Sequence, residues 1–339
     1  MTHTLSRALR FYFRQYLLKS RNASPHTVMA YRQTFELLRR YLKAKRRVGS
    51  MKQVRLSQLT PSVLLGFLDH LEDARTGRGN SIATRNVRLA AVRSFFRALP
   101  LLSPVYANVS DQMQALPFKR TVTRSPDYLE REELRQVFGG IDPKAPQGLR
   151  DLVMLLFMYN MGARAGEVAG ARLSWLDLQP HFPSVRILGK GLRERTCPLW
   201  EVTRAFLRQY LAEGRPDPRP EFQDRLFINV RRGGFSRWGV WSIVRRHVAR
   251  AAQSCASLRR KHITAHSIRH SLGVHLLQAG VDMSVIRSWL GHVHLDTTYR
   301  YARVRVQDTQ SAVERFFRLA DVLPAGAPLK ISVPLPEIF

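Results

Sequence analysis

Cysteine is nearly absent from this chain: Cys197 and Cys255 are the only two in 339 residues. That excludes a disulfide framework and a cysteine-rich zinc site. Acid is scarce as well, with 25 Asp and Glu against 55 Lys and Arg. Long apolar runs are also missing. The most hydrophobic stretch, Leu152 to Ala163, is too short to span a bilayer and ends at Arg164, so a buried helix is expected there. The N-terminal MTHTLSRALRFYFRQYLL is basic and amphipathic, without the apolar core and small-residue cleavage site of a secretory signal. No internal repeat is visible. These absences leave the expectation of a soluble, intracellular protein with no membrane association.

What is present is cationic. The formal net charge is +30. Arginines are spread through patterned segments from Arg7 to Arg318 rather than gathered in one tail, which points to a broad surface for a polyanion, nucleic acid above all. The length suggests two domains, and 45% hydrophobic residues can fill two ordinary cores.

Periodicity predicts a helix over residues 5–20 with Leu9, Phe13, Tyr16 and Leu17 on one stripe. Ser24-Pro25 starts a second, with Val28, Tyr31, Phe35, Leu38 and Leu42 inward and Arg32, Arg39 and Arg40 outward. Thr60-Pro61 starts a third, and a fourth runs from about Ser81 to Leu99, its apolar stripe flanked by Arg93 and Arg97. Pro100 to Asp127 has three further prolines and little periodicity, and reads as an interdomain linker carrying Lys119-Arg120. Beyond it, an acid-rich helix start at Tyr128–Leu134 leads to the buried helix near 150–161. Val185–Leu188 and Arg195–Leu199 read as a hairpin with Lys190 at its tip. Helices are expected at about 201–213 and 237–253, then a pair over His266 to Leu290 broken at Gly280 and closed by Gly291. The C-terminal stretch from Pro324 is irregular, with one strand-like piece at Leu329–Val333.

Cutting a DNA strand without a metal requires a nucleophile for phosphorus, fixed cations for the non-bridging oxygens and a proton for the departing sugar oxygen. Arginine suits the second task, lysine or histidine the third, and a tyrosine hydroxyl the first. Arg164, Lys190, His266, Arg269, His292 and Tyr301 make up such a set. Each also has an ordinary reading: Arg164 can be the ion-pair partner of Glu167, Lys190 a plain hairpin-tip lysine, His292 a core histidine and Tyr301 a packing residue. His262, His266 and His270 lie four apart, but no carboxylate is near to complete a metal site, so neither metal nor cofactor is expected.

In order, the motifs are Gly162-Ala163-Arg164-x-x-Glu167, Gly189-Lys190-Gly191-x-Arg193-Glu194-Arg195, His266-x-x-Arg269-His270, Leu290-Gly291-His292 and Thr297-Thr298-x-x-Tyr301. Together they resemble the phage integrase family, the tyrosine site-specific recombinases, over nearly the whole chain. The resemblance implies a mainly α fold with a small β-sheet. It divides the chain into a helical, SAM-like core-binding domain at 1–100, a linker at 101–127, an α+β catalytic domain at 128–322 and a tail at 323–339. It implies that Tyr301 attacks to give a 3′-phosphotyrosine and that Arg164 and Arg269 hold the phosphate oxygens. Lys190 would protonate the leaving 5′-oxygen, His266 would act as acid and base, His292 would complete the pocket and Glu167 would orient Arg164. Tyr299 competes for the nucleophile role, and the nine-residue spacing from His292 favours Tyr301. Ser271, where many relatives have threonine or another polar residue, is expected to change little.

The partners implied are double-stranded DNA sites, three more copies in a synaptic tetramer joined through the C-terminal segment (Val306 to Phe317), and other recombinases of the same element. DNA contacts are expected from Arg32, Arg39, Arg85, Arg88, Arg93, Arg97, Lys119 and Arg120. The expected setting is the prokaryotic cytoplasm, at the nucleoid. The basic, irregular C-terminus and the lack of an arm-binding domain before the bundle favour a mobile element. Relaxation in the manner of a type IB topoisomerase and a non-catalytic architectural role are the alternatives.

Overall fold

A computed structural model of the chain describes residues 3–46, 54–75, 77–121, 127–189 and 194–291. Lys190, His292, Tyr299, Tyr301 and the expected exchange segment and tail lie outside the described residues. The described residues are mainly helical with one small antiparallel sheet, and the chain divides into two units, Met1–Arg124 and Ser125–Phe339. No helix among the described residues is long and apolar enough to cross a membrane.

In the first unit, α1 (Leu5–Phe11) continues into a wider-wound stretch, Tyr12–Ser20. Wider winding rotates the inward stripe. The buried residues are Leu5, Ala8, Tyr12 and Leu17, the last step following the wider winding, while Leu9, Phe13 and Tyr16 are only partly covered. Tyr12 meets Phe35 and Phe95 edge-on and donates its hydroxyl to Ser94 Oγ at 2.8 Å. The next helices, α2 (Pro25–Arg46), α3 (Pro61–Glu72) and α4 (Ile82–Ala98), begin where their caps predict. Ser24, Thr60 and Ser81 accept from the backbone N–H three residues on.

The segment read as a linker begins with structure of its own. A short helix, α5 (Ala107–Gln114), buries Met113 and follows buried Tyr106, both in the bundle's core. The chain then stays fastened as far as Lys119. Asn86 exchanges two hydrogen bonds with the Lys119 backbone, 2.8 and 3.2 Å, and Arg85 donates to the Pro117 carbonyl at 3.2 Å.

The second unit starts with α6 (Arg131–Gly139), whose Glu130–Glu133 capping box satisfies its first turn. Its centre is α7 (Gly148–Met161), buried at all 14 positions. After α8 (Ala165–Ala169) come β1 (Leu176–Asp177), β2 (Ser184–Leu188) and β3 (Glu194–Pro198), paired in the order β1-β2-β3. Val185 faces Cys197 and Ile187 faces Arg195. The strand β1, only two residues long, was not expected. Around α7 pack α9 (Glu201–Gln209), α10 (Arg237–Ala251), α11 (Ala265–Gln278) and α12 (Met283–Leu290).

Helices α7 and α11 are pinned by Tyr159 Oη and His275 Nδ1, 2.7 Å apart and both buried. Burial pushes the His275 ring down to about 3 from its ordinary 6.5. Because the folded value is depressed, the unfolded chain takes up a proton below pH 6.5 that the folded chain refuses. The pair's stability is present above pH 6.5 and lost as pH falls towards 3. The slope from this group is at most roughly 1.4 kcal/mol per pH unit. Urea unfolding at pH 7 and pH 5 should show this loss, and His275→Gln should flatten it. An unchanged pH slope in the variant would show that the histidine is not the titrating group.

Candidate active site

Helix α7 ends at Gly162, which takes a left-handed conformation (φ +54°). Only glycine fits here, since an added Cβ would lie 2.5 Å from Leu290 Cδ2 and 3.1 Å from Leu272 Cδ2. The chain therefore turns tightly and starts α8 at Arg164. The carboxylate of Glu167 reaches back to the Arg164 backbone N–H at 3.0 Å and accepts from its Nη1 at 2.7 Å. Arg164 and Glu167 are thus paired, as the plain reading of the sequence allowed. The Arg164 side chain remains 40% exposed while that of Glu167 is 8% exposed.

Glu167 has a second partner that the motif did not assign. Arg195, on the inward face of β3, donates to it through Nη2 at 2.7 Å and Nη1 at 3.4 Å. Burial alone would raise the Glu167 carboxyl. Hydrogen bonds and charge from Arg195, then Arg164, outweigh it and hold the group below the ordinary carboxylate range. A signal for Arg195 exists in the sequence: strand alternation puts it on the same face as Cys197, where an arginine needs a buried anion.

Arg269, on α11, is completely buried. Its Nη1 donates to the Gly162 carbonyl at 2.6 Å and its Nη2 to the Leu290 carbonyl. Both carbonyls sit at helix C-termini, where the dipole favours a cation. The second of these helices, α12, is closed by Gly291 in the left-handed conformation (φ +62°). There an added Cβ would lie 3.1 Å from Arg195 Cδ. Trp289 and Cys197 complete the join: the indole donates to the Asn160 carbonyl at 2.9 Å, and the Cys197 thiol lies 3.5 Å from the Trp289 carbonyl. The fold thus gathers Arg164, Glu167, Arg195 and Arg269 at one convergence of α7–α8, β3, α11 and α12. His266 stands exposed in the first turn of α11, whose N-terminus favours an anion. No group of three or more His, Cys, Asp or Glu among the described residues could hold a metal ion.

The chain reaches α11 through a strap. Asp127 accepts from the His262 backbone at 2.7 Å, and Lys261 Nζ donates to the Tyr128 carbonyl at 3.0 Å and to Glu133 at 2.6 Å. The Leu129 N–H donates to Ser271 Oγ, which in turn donates to the Ser267 carbonyl, both at 2.8 Å. Ser271, expected to matter little, therefore joins the strap to the helix that carries His266 and Arg269.

The cations expected to touch DNA have partners of their own. Arg85 is a correction: its guanidinium is engaged inside the first unit, 3.2 Å from the Glu72 carboxylate and donating to the Pro117 carbonyl, so it serves the bundle rather than DNA. Half-buried Arg88 donates to Ala30, Thr34 and Gln33. Arg93 and Arg97 donate to Gln114, Lys119 to Glu72 and Arg39 to Glu36. Arg32 lies 5.6 Å over the Phe13 ring, and Arg120 is exposed.

Two family models match the chain: "Phage integrase family" over residues 127–308 and "Phage integrase, N-terminal SAM-like domain" over residues 12–100. The chain is 32% identical to the y4rC protein of Sinorhizobium fredii, over 92% of this chain and 91% of that protein. It is 30% identical to tyrosine recombinase XerC of Pelotomaculum thermopropionicum, over 86% of this chain and 92% of its length. Among solved structures, the Tn1549 transposon integrase in complex with a circular intermediate DNA superposes with a TM-score of 0.65 at 14% identity. That match covers 93% of this chain and 98% of the other, and shows a common fold.

Proposed function

The chain belongs to the phage integrase family, and on that premise we propose that it cleaves and rejoins DNA at specific sites through a 3′-phosphotyrosine. The observation that carries this reading is the convergence of Arg164 and Arg269 at two glycine-ended helices, with His266 one turn before Arg269 on α11. Tyr301 Oη attacks the scissile phosphorus, the 5′-oxygen leaves with a proton from Lys190, and Arg164 and Arg269 meet the charge on the non-bridging oxygens. His266 moves the proton of the tyrosine, and His292 closes the pocket. The covalent link keeps the bond energy, so a partner strand's 5′-hydroxyl reverses the step without ATP.

The net charge of +30 supports a double-stranded DNA substrate. The likeness to a transposon integrase supports the movement of a mobile element. We place the enzyme in the bacterial cytoplasm at the nucleoid, acting as a homotetramer on paired sites through its C-terminal segment, with other recombinases of the element as further partners. No cofactor enters the reaction.

Incubation with a nicked suicide substrate should trap a protein–DNA adduct, and two-site DNA should yield exchanged strands. Removing residues 306–339 should abolish pairing of sites while single-site binding remains. Relaxation of a one-site plasmid without any exchange on two sites would instead make it a topoisomerase. Binding with no adduct would make it architectural.

A further inference from the structure

Glu167 serves two arginines, and they differ. Arg195 holds it with two nitrogens, and both of these side chains are 8% exposed, so little solvent screens their attraction. Arg164 holds it with one guanidinium nitrogen and is 40% exposed. Two cations and one anion leave the trio with one positive charge, and the exposed member carries it. If Arg195 were absent, the Glu167 oxygen that also accepts the Arg164 backbone N–H would have a lone pair free for a second guanidinium nitrogen of Arg164. The favoured geometry would then be the two-pronged arginine–carboxylate fork, a neutral pair.

We propose that Arg195 is a positioning residue that occupies Glu167, so that Arg164 keeps its charge and its donors for the scissile phosphate. This rests on the reading of Arg164 as a phosphate ligand. Arg195 is also placed to keep the rest of the site in step. It is the second residue of β3, and its Cδ lies against Gly291, the residue that closes α12. The glycine at 291 leaves room for that side chain. One buried side chain therefore touches both the carboxylate that pairs with Arg164 and the end of the helix whose last carbonyl Arg269 holds.

The test compares Arg195→Met with Arg195→Met/Glu167→Gln. The readout is the single-turnover rate of adduct formation on a nicked suicide substrate, at saturating enzyme and normalised to DNA-binding-competent molecules. Arg195→Met should slow cleavage about 100-fold, the scale of losing one preorganised cation, with DNA affinity little changed. Adding Glu167→Gln should recover about tenfold or more, because a neutral amide cannot neutralise Arg164. A purely structural role for Arg195 predicts no such recovery per competent molecule. If Arg195→Met yields no competent protein, Arg195→Gln with and without Glu167→Gln gives the same comparison. A double variant no faster than its single parent, or a single variant as fast as the natural chain, overturns the proposal. Arg164→Ala is the control: unimpaired cleavage there would sink the reading of Arg164 itself, while a dead Arg164→Ala with no rescue sinks only the role of Arg195.

Discussion

Tyr301→Phe should leave no covalent adduct on a nicked substrate, while Tyr299→Phe should form it at close to the natural rate. The phenylalanine keeps the aromatic ring and removes only the oxygen that would attack phosphorus. Loss of a covalent nucleophile acts on a scale of about four orders of magnitude or more, far beyond any effect of a neighbouring side chain. Neither substitution changes charge, so the phosphate contacts that dominate affinity stay intact and binding to an uncleaved site should hardly change. The separation of binding from cleavage is therefore part of the expected result. The two tyrosines lie on either side of Arg300, and Tyr301 is assigned by its spacing from His292. An adduct that persists in Tyr301→Phe and vanishes in Tyr299→Phe would transfer the role.

Arg269→Lys should damage both folding and chemistry. The guanidinium bridges the last carbonyls of two helices with separate nitrogens, Nη1 to Gly162 and Nη2 to Leu290. A lysine keeps the charge but has one nitrogen, which cannot span both acceptors in the same way. Leaving a buried carbonyl unpaired costs about 1–3 kcal/mol. For a unit of this size, such a loss should lower the melting temperature by several degrees. Cleavage should fall by about a hundredfold or more, because the arginine is also the cation proposed to meet the phosphate. Melting curves and single-turnover cleavage would check the two halves separately. A natural melting temperature in the variant would show that the two helix ends do not depend on the bridge.

Local signals were legible in the sequence. The hydroxyl caps at Ser24, Thr60 and Ser81 mark three helix starts, and glycines at 162, 280 and 291 mark turns with positive φ. Arg164, Glu167, His266 and Arg269 could be picked out because the motif places each at a fixed offset. The features that escaped depend on partners remote in sequence or on elements too short for periodicity. Arg195 and Glu167 are 28 positions apart, so strand alternation can turn Arg195 inward without saying which anion meets it. Arg85 looks like one more outward cation on α4 until Glu72 and the Pro117 carbonyl appear beside it. The two residues of β1 cannot show an alternation, and α5 lies among prolines that signal irregular chain.

The strap at Asp127–Leu129 also gives the second unit a mechanical input. The chain arrives at that unit fastened to α11 through Ser271 and to the stretch just before it through His262. Among the described residues, the chain entering the second unit is therefore bonded at once to the helix bearing His266 and Arg269 and to the stretch just before it. The other tether is fastened too, since the first unit grips its outgoing chain as far as Lys119.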